Sequence, residues 1–357
     1  MKRKAHWGYP LLASLIAAPA MASGDLQING FLSVGATMAD SNDATIAGAD
    51  NQGGFKNDNV LGLQIQKQVN DSTTVTGQLV SRGTNDYKTE AAWAFVTYAA
   101  TDDLDLRMGR LRIPFFYYSD FLEVGYAYNW VRPPEEVYRI GFSSFDGVDL
   151  TQRFSSGSFD GSVQVYYGRY QGNLAIGGND LDSDLRNLTG LAFTGNMGNF
   201  GSRLSYHQAE LIIPASAAQP NPDFRFSGQT STFLEAALTY DDGDNSVIAE
   251  WTQLEHKTSA LLDDSAWLVS AARRVDEVVI HATYSTQVDK YDSGSNGDAQ
   301  KAAGLGTDEY SVTLGMRWDY DSSTALKLEV QHNDEEMFAG VDGGSATLYS
   351  VAVDVIF

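Results

Sequence analysis

The last ten residues, Leu348 to Phe357, alternate in character. Tyr349, Val351, Val353, Val355 and Phe357 fall on one face, and Ser350, Ala352 and Asp354 on the other, with Ile356 breaking the polar series. A period of two marks a β-strand with one oily and one wet face. The same alternation recurs along the chain. Val278, Ile280, Ala282 and Tyr284 alternate with Val279, His281, Thr283 and Ser285. Tyr310, Val312, Leu314, Met316 and Trp318 alternate with Ser311, Thr313, Gly315 and Arg317. Val247, Ala249 and Trp251, and Leu326, Leu328 and Val330, form further apolar rows that alternate mainly with polar residues. Alternation and turn residues together predict sixteen strands: 25–38, 59–69, 73–82, 89–99, 104–113, 146–154, 160–170, 187–197, 200–209, 229–240, 245–254, 264–274, 277–288, 308–319, 324–332 and 347–357.

The connections add a second pattern. Short turns, such as Asn70-Asp71-Ser72, Gly198-Asn199 and Val275-Asp276, alternate with longer loops at 39–58, 83–88, 114–145, 171–186, 210–228, 255–263, 289–307 and 333–346. An even strand count with long loops at one end and tight turns at the other predicts an all-β fold, a 16-stranded antiparallel transmembrane β-barrel with both termini at the short-turn end. A soluble β-sandwich predicts no such alternation of loop lengths and needs a core between two sheets. Aromatic residues close several apolar rows, as expected at membrane interfaces. Charges and amides fill the opposite rows, and sixteen strands leave a wide, polar-lined lumen.

Composition changes the picture at three points. The chain opens with Lys2, Arg3 and Lys4, continues with an apolar stretch from Leu11 to Ala18, and reaches the small-x-small site Ala20-Met21-Ala22. That layout predicts a signal peptide over 1–22, leaving a barrel domain at 23–357. The net charge of −22 falls to near −25 once the three basic residues of the leader are removed, which argues against a nucleic-acid partner. Cysteine is absent, so barrel closure and packing must supply stability without disulfides.

Three pieces together carry a family resemblance: the signal peptide, the terminal strand ending in Phe357, and the stretch Leu106-Arg107-Met108-Gly109-Arg110-Leu111-Arg112-Ile113-Pro114 followed by a long loop. The chain resembles the Gram-negative general porins, sixteen-stranded trimeric diffusion channels of the outer membrane. The resemblance implies a homotrimer, contact with outer-membrane lipid and lipopolysaccharide, and recognition of Phe357 by the barrel-assembly machinery. It also implies that the third long loop, here about 114–145, folds inward and narrows the pore. That loop is rich in aromatics, from Phe115 to Tyr138, which would be a liability in water and are buried if packed against the inner wall. By position, Asp120, Glu123, Glu135 and Glu136 are the candidate acids of the constriction, with Arg132 among them. Arg82, Arg110, Arg112 and Arg153 are the candidate opposing charges from the wall, and Arg203, Arg274, Arg317 and Lys327 sit on further lumenal rows. Arg107 shares the face of Arg110 and Arg112 only if a bulge intervenes, for which Gly109 is a plausible place.

These features predict passive diffusion of small hydrophilic solutes and ions, selected by size and charge, with no catalysis, no metal and no cofactor. An alternative is a substrate-specific channel that binds a phosphate-like anion through the arginines or an oligosaccharide along the loop aromatics. Two further readings are a barrel hydrolase and a plugged surface receptor. Ser205 and His207 share one face and hint at a hydrolase, but no G-x-S-x-G elbow accompanies them. The scattered histidines offer no metal-ligand spacing. The acids of the outer loops, Asp40, Asp43, Asp50 and Asp58, are candidates for divalent bridges to lipopolysaccharide or for simple solvation.

Overall fold

A computed structural model describes residues 26–41, 49–176, 179–213, 227–258, 261–302, 306–337 and 341–357. The expected signal peptide and Asp43 lie outside the described residues. All sixteen expected strands form: β1 Leu26–Ala39, β2 Val60–Asn70, β3 Thr73–Arg82, β4 Thr89–Ala99, β5 Leu104–Arg112, β6 Ser144–Ser156, β7 Phe159–Ile176, β8 Asn179–Met197, β9 Phe200–Ile212, β10 Ser227–Asp241, β11 Asn245–His256, β12 Asp263–Val275, β13 Val278–Lys290, β14 Thr307–Asp319, β15 Thr324–Met337 and β16 Val341–Ile356. Each pairs antiparallel with its sequence neighbours, and β1 closes the barrel against β16. The closing seam runs from Phe31 opposite Ile356 to Ala39 opposite Leu348. Gly30 and Phe357 extend it with reciprocal backbone hydrogen bonds of 2.6 and 2.9 Å. Closure leaves no free edge, so every strand finds ladder partners.

The apolar rows face outward. Val34, Leu61, Ile65, Leu238, Ile280, Leu314, Leu328 and Val353 are all exposed. Their polar neighbours Ser350, Asp354, Thr313 and Glu329 are buried inside. Ile356, the residue that breaks the polar series, turns inward with Phe31 and Val80 to form a small internal cluster. Two-residue turns at 157–158 and 198–199 join β6 to β7 and β8 to β9. Gly157 and Gly198 take the positive φ that such tight hairpins require.

Two expectations need correction. First, 171–186 and 333–346 are strand over most of their length. β7 and β8 reach Ile176 and Asn179, and β15 and β16 reach Met337 and Val341. Gly, Asn and Asp mask the alternation there, while Leu181 and Leu185 are buried on the inward side. The chain thus lengthens at this end by extending its barrel wall. Second, the lumenal rows are not uniformly polar. Leu111, Phe145, Leu188, Leu211, Phe233 and Leu268 form a buried internal cluster with Phe115 and Phe116. Segment 113–143, between β5 and β6, covers it. The long connection before β14 carries one short helix, α1, at Ser295–Ala302.

Candidate functional site

Pro114 lacks the N–H that would continue the β5 ladder. The chain therefore leaves the wall just beyond Ile113, whose N–H donates to the Ser143 carbonyl at 2.9 Å and closes the neck of the loop. Phe115 then lies edge-on to Phe142, His207 and Phe233, with ring centres 5.4, 4.9 and 5.1 Å away. The Ser205 hydroxyl donates to the Phe115 carbonyl at 3.1 Å, and Arg203 donates to that of Pro114. Residues 113–143 therefore touch inward rows of the barrel, and the contacts continue around it.

A buried loop needs partners for its backbone groups, and wall charges supply them. Glu250 on β11 accepts the Tyr117 N–H at 2.9 Å and the Tyr138 hydroxyl, so one carboxylate holds both limbs of the loop. Lys327 on β15 donates to the carbonyls of Gly125 and Trp130, each at 2.6 Å, and pairs with Asp354 on β16 at 2.8 Å. Arg317 on β14 donates to the carbonyls of Tyr126 and Tyr128 at 2.7 and 3.0 Å. Glu329 accepts the Val131 N–H at 3.1 Å, and the Trp130 indole donates to Thr283 at 2.8 Å. Wall cations meet loop carbonyls, and wall carboxylates meet loop N–H groups.

The expected site residues separate into three groups. Glu123 accepts from Arg82 at 2.9 and 2.5 Å, with Arg112 3.6 Å away. Burial works against the charge of Glu123, but the hydrogen bonds and charge of Arg82, joined by Arg112, hold its carboxyl below the usual carboxylate range. Arg132 donates to Asp58 at 2.9 Å and to Thr37 at 2.5 Å, and Glu136 accepts from Ser285 at 2.7 Å. These groups pin the loop. Asp120 and Glu135 are exposed on it. Arg153 lies on the inner wall and pairs with Asp105 at 2.7 Å.

Arg110 is a correction. It sits opposite Ala94 on β4 and Asp146 on β6, in the row of the outward residues Leu106 and Met108. The period-two rule places it there, because Leu104, Leu106, Met108 and Arg110 share parity. Arg107 holds the inner position instead. Its guanidinium donates to Asp149 at 2.5 Å and lies 5.5 Å from the centre of the Phe95 ring. Gly109, at φ +135°, allows the close approach of β4 there. Arg112 reaches the loop because β5 ends with it and the chain turns inward. Its guanidinium lies 5.8 Å from the Trp93 ring. Of the other wall cations, Arg203, Arg317 and Lys327 hold loop carbonyls, and Arg274 pairs with Asp319 at 2.8 Å.

Asp58 is likewise not a solvated loop acid, since its side chain is only 5 % exposed beside Arg132. Glu250 and Glu329 are site residues that sequence reasoning missed, and for Asp58 and for Asp354, on the inward face of β16, it missed the cations they pair with, Arg132 and Lys327. A buried partner on a remote strand leaves no local signal. Ser205 and His207 do not pair as a nucleophile and base: Ser205 donates to the loop, while His207 Nδ1 lies 2.7 Å from the Tyr166 hydroxyl. Among the described residues no cluster of His, Asp or Glu is arranged to hold a metal.

On the inner wall, Arg107 and Arg153 are partly exposed on β5 and β6. Asp120 stands on the loop within electrostatic reach of Arg107 and Arg112. At the long-loop end, Asp264 and Asp289 flank Arg139 at 2.7 and 3.7 Å.

Residues 11–354 match the family described as "Gram-negative porin". No curated protein matches the sequence. Among solved structures, the trimer form of in-vitro folded OmpT, an outer membrane protein of Vibrio cholerae, superposes with a TM-score of 0.61 at 14 % identity, over 93 % of this chain and 99 % of that one. The anion-selective porin from Comamonas acidovorans gives 0.60 at 14 %, over 93 % and 99 %. Salmonella typhi OmpF, in a complex with daunomycin, gives 0.58 at 15 %, over 94 % and 98 %. At such identities the likeness speaks for the fold.

Proposed function

The chain belongs to the Gram-negative porin family and is an outer-membrane channel protein, and from that premise we propose that it passes small hydrophilic solutes and ions by diffusion, selected where loop 113–143 narrows the lumen. One observation carries this reading. The loop is pinned to inward rows on opposite sides of the barrel, by Arg82 on β3 and by Glu250, Arg317, Lys327 and Glu329 on β11, β14 and β15. What passes the loop must use the space beside it, and on this reading Asp120, within electrostatic reach of Arg107, borders that space. Opposite charges across a narrow aqueous gap set up a transverse field that favours polar over apolar solutes.

The loop aromatics do not support the alternative of an oligosaccharide track, because Phe115, Phe116, Tyr128 and Trp130 are buried against one another and the wall. A hydrolytic role has no support in the placement of Ser205 and His207 beneath the loop. We take the protein to be a homotrimer, in keeping with its family and with the trimer form of the Vibrio cholerae protein.

Single-channel recording in planar bilayers under a salt gradient tests the reading. Asp120→Asn and Arg107→Gln are expected to move the reversal potential in opposite directions, whereas Arg273→Gln, on an outward row near the short turns, leaves it in place. A reversal potential unmoved by both would remove this pair from the constriction.

A further inference from the structure

At the long-loop end of the lumen, the inward rows set carboxylates directly opposite one another. Asp264 on β12 pairs in register with Asp289 on β13, and Glu309 on β14 with Glu335 on β15. Like charges at directly opposed positions of a sheet repel, so each pair calls for positive charge beside it. The first pair has it: Arg139, on the returning limb of the loop, lies 2.7 Å from Asp264 and 3.7 Å from Asp289. The second pair has no such bridge. Arg139 is taken by the two aspartates, and Arg132, the other arginine of the loop, by Asp58 at 2.8 Å. What surrounds Glu309 is further negative charge, since Glu335, Glu136 and Glu135 all stand within electrostatic reach of it. Ser285 donates to Glu136 at 2.7 Å and lies 2.9 Å from Ser311, the inward neighbour of Glu309 on β14. Glu136 is only 2 % exposed, yet among the described residues no lysine or arginine pairs with it. Glu309 and Glu335 are partly exposed. The positive charges elsewhere on the inner wall are matched: Arg107 by Asp149, Arg153 by Asp105, Arg203 by Glu235 and Lys327 by Asp354. Arg82 and Arg112 share Glu123, with Glu90 also beside Arg82. Arg274 and Arg317 share Asp319, toward the short-turn end.

We propose that Glu309 and Glu335, backed by Glu136 and Glu135, make the long-loop mouth an antechamber for cations, so that the channel favours cationic over anionic solutes before they reach the loop. The inference rests on the channel reading and gives it a sign. Its physical basis is focusing: carboxylates on the wall of a confined aqueous space raise the local concentration of cations and keep anions out. Partly buried carboxylates are also screened by salt less than fully exposed ones, so the preference survives at working ionic strength. Glu136 strengthens the case, because an enclosed carboxylate without a fixed partner is costly until a cation stands near it. The proposed occupant is mobile, an alkali cation or a small organic ammonium. It is not a coordinated metal, for which the described residues offer no cluster of His, Asp or Glu.

The test is the reversal potential of the full chain in a planar bilayer under a gradient of potassium chloride. The wild-type permeability ratio of potassium to chloride is expected to be at least about threefold, and Glu309→Gln/Glu335→Gln should lower it at least about twofold. Glu309→Asp/Glu335→Asp should keep most of the preference, because charge rather than fit supplies it. The control takes the same charge from the outward faces of the same strands: Asp308→Asn/Glu336→Gln, at residues that also pair in register, should leave the ratio in place. A wild-type preference for chloride, or no preference, would overturn the inference. So would an inward glutamine pair that keeps the wild-type ratio, or an outward control that lowers it as much. Those outcomes leave the channel reading standing, whereas a chain that inserts without conducting would end both. Removing opposed like charges relieves repulsion, so the glutamine pair is expected to fold. Should it not, as judged by mobility of unheated and heated protein on electrophoresis, Glu335→Gln alone is read against Glu336→Gln with the same criteria.

Discussion

Lys327 shows how a charge is kept inside this barrel. Its ammonium is fully surrounded by one carboxylate, Asp354, and two loop carbonyls, so the desolvation of the charge is offset on three sides. Lys327→Met removes that compensation from Asp354 and from the loop, and should lower unfolding stability in urea by about 3–5 kcal/mol. Lys327→Met/Asp354→Leu, which removes both charges, should recover part of the loss. Glu123 makes a pH-dependent counterpart. Its carboxyl is held below the ordinary range in the folded chain, so the contribution of its pairing with Arg82 and Arg112 is complete above the unfolded carboxylate value of about 4.3. That contribution is lost as pH falls through the lower, folded value. Open-channel noise should therefore stay low in wild type from pH 7 down to pH 5 and rise only in stronger acid. Glu123→Gln should be noisy already at pH 7, and the two should converge at the acid end. Wild-type noise that rises before pH 5 would show that this pair does not hold the loop.

At the scale of the element, β5 and the loop after it decide which charges meet the lumen. Leu104, Leu106 and Met108 commit the even-numbered row to the outside, so Arg107 faces in and Arg110 faces out. Gly109 lets β5 run close to β4 at a positive φ, and any side chain there would strike the Ala94 carbonyl. Gly109→Ala is expected to cost about 1–3 kcal/mol in unfolding stability, read from the urea midpoint, and to disturb conductance through its neighbour Arg107. Sequence reasoning reached the strands and their faces here, but it put Arg110 and Arg112 on one lumenal face, and the end of β5 at Arg112 is what separates them.

In the whole molecule the loop and the wall need each other. Lys327, Glu250 and Glu329 are buried charges whose partners lie on the loop, some 120 to 200 residues away in sequence. Replacing 117–137 by a short linker should raise single-channel conductance several-fold and at the same time lower the unfolding midpoint, because those charges would then face the lumen without their loop partners. A rise in conductance with unchanged stability would show the loop to be a passive insert. Strand number, the order of strands around the barrel, the outward apolar rows and the position of the long loop in the sequence were all legible along the chain, from the alternation of residues such as Tyr310 to Trp318 and from turns such as Gly198-Asn199. These are local properties, set by a side-chain period of two and by the backbone demands of tight turns. Which charges meet water was not legible: Asp58 is closed off by Arg132, Lys327 is taken up by loop carbonyls, and Leu188 and Phe233 fill an interior expected to be polar. Those outcomes depend on contacts between residues far apart in sequence, and only closing the barrel and folding 113–143 inward brings such residues together.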